Sequence, residues 1–137
     1  MSQMEEDQDF IIKGLDEIQA GNIQKNIQPL NFELLMDEFD DNREFVTGML
    51  HRFFINAQLQ INEMKILIDK KDFENIKKEA HSLKGGANCI FASPLGGIAL
   101  QLEEESDKGD IHPLKSLYEE LCRKFHELKT YALDKIQ

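Results

Sequence analysis

From Phe45 onward, apolar residues recur at Met49, Phe53, Ala57, Ile61, Met64 and Ile68, with Val46, Leu50 and Phe54 alongside. Returns at three and four places are the spacing of one face of an α-helix. The stripe is wide enough to face a core, and it predicts a helix of about six turns. Strand signals are nearly absent: β-branched runs are few, and neither Asn-Gly nor Asp-Gly occurs.

The rest of the chain follows the same period. Asn31 predicts a cap for a short helix over Phe32 to Phe39. Asp40-Asp41-Asn42 breaks the chain and caps the long helix. Lys70-Lys71 sits at that helix's C-terminal end, where positive charge suits the dipole. Asp72 starts a second long helix, roughly Phe73 to Ile90. Ser93-Pro94 reads as a cap followed by Pro at the first helical position. Leu95, Ile98, Ala99 and Leu102 carry that helix to Ser106, and Gly109 stops it. Asp110 and Pro113 open the last helix, with Leu114, Leu117, Leu121, Phe125, Leu128 and Ala132 on one face. The expected fold is all-α: an antiparallel up-down-up-down four-helix bundle with short N-terminal helices.

The 137 residues suit one domain with one core. Residues 1–30 read as an acidic N-terminal extension, and 31–137 as the bundle. In the extension, the spacing of Phe10, Ile11, Leu15 and Ile18 permits one short amphipathic helix, ended by Gly21, with Pro29 closing the linker. A net charge of −10 opposes binding to nucleic-acid phosphates or anionic lipid. No run of about 18 apolar residues exists, so no membrane span is expected. The acidic start, Met1 to Asp7, is the reverse of a secretory signal. Cys89 and Cys122 form neither a disulfide framework nor a metal-ligand spacing. They are expected to be reduced, mostly buried thiols in a cytoplasmic protein.

One polar residue sits oddly in this pattern. On the second long helix, Ile76, Ala80, Leu83, Ala87 and Ile90, with Phe73 and Phe91, form the core arc. At about 100° per residue, His81 falls outside that arc. Lys77 and Lys84 flank it on one side, and Glu74, Lys78 and Gly85 on the other, with Asn88 nearly in line. A neutral imidazole nitrogen is a good nucleophile near pH 7. Surrounding ammoniums favour the neutral ring and would stabilise a phosphoryl group carried on it. Each mid-helix glycine costs about 1 kcal/mol relative to alanine, so Gly85-Gly86 does not serve helix stability. The pair either opens a notch beside His81 or allows close helix packing. His51, His112 and His126 read as ordinary surface residues, and no Glu-x-x-His pairs suggest a metal or hydrolytic site.

Ala80-His81-Ser82-Leu83-Lys84-Gly85, followed by Ala87-Asn88 and then Ala92, resembles the signature of histidine-containing phosphotransfer (HPt) domains. Leu95, Leu102-Glu103 and Asp107-Lys108-Gly109-Asp110 extend the likeness, as do Phe32-Glu33-Leu34-Leu35 and the Phe45 helix upstream. It covers about residues 31–134. The resemblance implies a four-helix bundle whose exposed phosphoacceptor is His81, through Nε2. It implies that Lys84 neutralises the phosphoryl group, that Gly85 is the gap admitting a partner, and that Glu103 accepts the Nδ1 proton. Lys77, Lys78 and Asn88 are expected near the phosphate.

Such domains have no kinase activity of their own. They take a phosphoryl group from a receiver-domain aspartyl phosphate and pass it to another receiver. The implied partners are response-regulator receivers and hybrid sensor kinases. No cofactor of its own is expected, and Mg²⁺ belongs to the receiver. The rival expectation is a helical adaptor that binds receivers without being phosphorylated. One departure is Phe91, standing where the family usually has glycine; pointing to the core, it is expected to displace the start of the next helix.

Overall fold

The computed structural model describes residues 27–137. The expected helix around Phe10 to Ile18 lies outside the described residues. Five helices form, and no strand is found among the described residues: α1 (Phe32–Glu38), α2 (Arg43–Asp69), α3 (Phe73–Cys89), α4 (Ser93–Ser106) and α5 (Ile111–Ile136).

Four of the five helices start on a side chain that satisfies an orphan amide. Asn31 accepts from the Leu34 amide, Asn42 from Phe45, Asp72 from Asn75 and Asp110 from His112. The fourth helix differs from expectation. Ser93 does not cap α4; it is the first helical residue, and Ala92 stands at the cap with no side-chain bond. Pro94 in the first turn lacks an N–H, so one orphan donor is absent there.

The helix ends are closed by backbone. After α2, the Asp72 amide donates to Leu67 O and the Lys71 amide to Ile68 O, both at 3.0 Å. After α3, Ala92 donates to Ala87 O at 2.9 Å and Phe91 to Asn88 O at 3.1 Å. After α1, Asp41 donates to Met36 O at 2.8 Å and Asp40 to Asp37 O at 3.2 Å. Each is a Schellman closure, which puts one residue in the left-handed region. That residue is Asp40 (φ 54°), Lys71 (φ 57°) or Phe91 (φ 61°), none of them glycine, and after α1 Asp41 is left-handed as well (φ 58°). α4 begins two residues after Phe91, and the Phe91 carbonyl accepts from the Asn31 amide at 3.0 Å.

The helices pack α2 with α3, α3 with α4, α4 with α5 and α5 with α2, while α1 leans on α2. The core takes Leu50, Ala57 and Met64 from α2, Ile76, Ala80, Leu83 and Ala87 from α3, and Leu95 and Leu102 from α4. Leu114, Leu121, Leu128 and Ala132 come from α5. Phe54 meets Phe125 edge to face across α2 and α5, with ring centres 6.2 Å apart. Phe45 departs from the predicted stripe: it is exposed and lies against Phe39 in the α1–α2 turn, 5.1 Å between centres. The thiols also differ from expectation. Cys89 is exposed and Cys122 half-buried, because Cys89 ends α3 beyond its buried arc.

Lys71 offers a clean test of the left-handed joints, since it is exposed. A left-handed non-glycine residue costs about 1–2 kcal/mol, and glycine returns part of that as chain entropy. Lys71→Gly should therefore stabilise the fold by about 0.5–1 kcal/mol, read from the midpoint of urea unfolding.

Candidate functional site

The site stands where α4 crosses the exposed side of α3. Ala80 and Leu83 are fully buried, which turns the intervening positions outward. His81 accordingly leaves 67% of its side chain open to solvent. Its ring lies in a shallow depression with Glu74, Lys77, Lys78 and Glu103.

Glu103 organises the site. One carboxylate oxygen is 2.9 Å from His81 Nδ1, and the other accepts from Lys84 Nζ, also at 2.9 Å. Only 17% of the Glu103 side chain is exposed. The bond from Lys84, and to a lesser degree that from His81, holds its carboxyl below the usual glutamate range, against an opposing push from burial. An ionised carboxylate only accepts, so Nδ1 carries the hydrogen and Nε2 keeps its lone pair.

The three ammoniums are not free, as the sequence alone suggested. Lys84 is taken by Glu103, Lys77 donates to Asp107 at 2.9 Å, and Lys78 lies 3.5 Å from Glu74. For Lys84 and Lys77 the reason is α4: Glu103 on it and Asp107 at its C-cap, one turn apart, meet these lysines of α3, whereas Lys78 pairs with Glu74 one turn earlier on α3 itself. The surroundings of His81 are thus alternating charges, not a positive ring. Asp107 had a signal in the sequence, its i+4 spacing from Glu103, but that pairing needs the register of α4 on α3.

The two glycines do different things. A Cβ on Gly85 would meet nothing within 4 Å, so its notch opens to solvent. A Cβ on Gly86 would lie 3.3 Å from the Phe53 ring, so Gly86 lets α2 pack against α3. Beside it Gln60 donates to Ser82 Oγ at 2.9 Å, another α2–α3 link. Asn88, nearly in line with His81, lies two turns further along and sits against α4. A Cβ on Gly96 would fall 2.4 Å from its Oδ1. The sequence reading missed Gly96, whose only local signal is a second Gly-Gly pair. No group of three His, Cys, Asp or Glu side chains that could hold a metal occurs among the described residues. No helix among them is long and apolar enough to cross a membrane.

A family model, the Hpt domain, matches residues 48–131. No curated protein matches the chain. Among solved structures, the chain is similar to histidine-containing phosphotransfer protein B from Pseudomonas aeruginosa, with a TM-score of 0.74 and 21% identity. That match covers 80% of this chain and 95% of the other, and at such identity it is a likeness of fold.

The depressed carboxyl of Glu103 gives a pH signature. A lowered folded-state pKa contributes stability that is fully present above the unfolded value of 4.5 and is lost as pH falls through the lower folded one. Wild type should exceed Glu103→Gln in stability at neutral pH. The gap should close as urea unfolding is repeated below the ordinary glutamate range.

Proposed function

Because the chain belongs to the Hpt domain family, we propose that it is a phosphoryl carrier of two-component phosphorelays, with His81 as the phosphoacceptor. The observation that carries this is the 2.9 Å contact of Glu103 with Nδ1 of an exposed His81. It fixes the tautomer in which Nε2 is the nucleophile and faces away from Glu103.

In the proposed step, a receiver bearing an aspartyl phosphate docks over the Gly85 notch. The Nε2 lone pair attacks phosphorus in line with the acyl oxygen. The N–P bond forms as the P–O bond breaks, and the receiver carboxylate leaves with that electron pair. Nδ1 keeps its hydrogen throughout, so no proton need leave His81. Glu103 stabilises the positive charge that the ring acquires. Lys77 and Lys78, which line the depression with His81, and Lys84, held on the carboxylate that also meets the ring, are the cations for the incoming oxygens. Mg²⁺ sits with the receiver, which holds the phosphoryl group at the start. The reverse transfer to a second receiver uses the same contacts. The protein then works as a cytoplasmic relay between receivers and hybrid sensor kinases, without kinase activity of its own.

The pairing order supports the antiparallel arrangement in such a bundle. Lys77 meets Asp107 while Lys84 meets Glu103, so α4 runs opposite to α3. Short joints between the remaining helices support the same up-down-up-down course.

Incubation with a phosphorylated receiver and Mg²⁺ should place acid-labile, base-stable phosphate on the chain, and His81→Gln should abolish it. Undiminished label in that variant would reject His81. Binding without label on the wild type would make the domain an adaptor. Gly85 separates docking from folding. Gly85→Ala should stabilise α3 by about 1 kcal/mol, since its Cβ meets nothing. Gly85→Leu, filling the notch, should slow transfer by about tenfold or more, ~1.4 kcal/mol of barrier. Discharge of the receiver measures the rate.

A further inference from the structure

Ile55 and Leu59 are the most exposed large apolar side chains among the described residues, at 64% and 62%. Ile66, at 46%, follows on the same helix. At about 100° per residue, Gly48, Ile55, Leu59 and Ile66 fall within about 40° of one another on α2. Val46, Leu50, Ala57 and Met64, all fully buried, occupy the opposite side. The stripe therefore faces directly away from the bundle. A row of large apolar side chains on one solvent face marks a contact surface more than scattered exposure does.

The stripe is close to a palindrome about Ala57. Reversing the chain direction there exchanges Ile55 with Leu59 and Gly48 with Ile66. A two-fold axis at that point, perpendicular to the helix, sets Ile55 of one copy against Leu59 of a second. It also sets Ile66 against the gap at Gly48, where a Cβ would meet only the Arg52 guanidinium, at 3.4 Å. The flank matches too. Arg52 and Glu63 lie on the same side of the stripe, and the axis brings each within one residue step, about 1.5 Å along the helix, of its opposite in the second copy. Both are exposed. Neither has an ion-pair partner among the described residues. In a chain of net charge −10, two copies repel at long range, so a cation meeting an anion at each end of the contact is a specific complementarity.

We infer that the outer face of α2 is a self-association surface, on which a second copy of this chain pairs antiparallel about Ala57. The contact is one helix from each copy, so the dimer is small and concentration-dependent, not permanent. His81 lies on α3, outside the paired stripe, and the inference is independent of the phosphotransfer reading.

Sedimentation equilibrium of the full chain over a wide concentration range tests it. The weight-average mass should rise from monomer toward dimer. Ile55→Asp, at an exposed position that leaves the core untouched, should weaken the dimer about tenfold or more. Arg52→Glu and Glu63→Arg should each weaken it, and the double exchange should restore it. A disulfide between introduced Ile55→Cys and Leu59→Cys, with Cys89 and Cys122 replaced by Ser, should link two chains. Monomer at every concentration, or a dimer indifferent to Ile55→Asp, overturns the inference. So does a double exchange that restores nothing. If the chain stays monomeric while Ile55→Asp blocks docking of a receiver, the stripe belongs to the receiver and the self-pairing is wrong.

Discussion

Burial of Ile76, Ala80, Leu83 and Ala87 fixes the rotation of α3 about its own axis. Everything at the site inherits that choice. A helix turns as a rigid unit, so sealing four residues on one side points His81, Lys77 and Lys84 to the other. The relative energies leave no doubt which contact governs. Truncating one buried leucine costs about 2–5 kcal/mol, whereas an exposed ion pair contributes about 0–1. The exposed Lys77–Asp107 bridge therefore does not hold α3 in place. It decorates a geometry that the core has already set.

The helices were legible because four of the five starts have a side-chain acceptor and each body has the helical period. Asn31, Asn42, Asp72 and Asp110 sit where the sequence put them. The joints were less legible. Glycine is the usual marker of a left-handed residue, and only Gly109, at φ 71°, obeys it. At Asp40, Lys71 and Phe91 the closure is made of backbone bonds, which no side chain announces. Ser93 misled for a related reason: a serine before proline looks like a cap, but α4 begins one residue earlier than that reading requires.

At the site, the turn of about 100° per residue alone put His81 outside the core arc, and the missing side chains of Gly85-Gly86 offered a notch or close packing. The charge balance did not follow. Lys77 and Lys84 read as free cations, because a single helix shows only its own residues, while the partner of Lys78, Glu74, was in view on α3 itself. Glu103 and Asp107 arrive from α4, and their reach depends on how far α4 slides along α3. The split between Gly85 and Gly86 was hidden for the same reason. The two are neighbours in sequence, and only the approach of Phe53 tells packing from opening.

Asp72 belongs to two structures at once. Its amide closes the end of α2 on Leu67 O, and its carboxylate caps α3 by accepting from Asn75. The joint consequently has no slack, and the helices are geared to each other like teeth. One residue inserted here would turn the His81 ring by about 100° relative to α2 and bury or misdirect it. Such a connection can exchange its exposed side chains and keep this geometry, but it cannot change its length and do so.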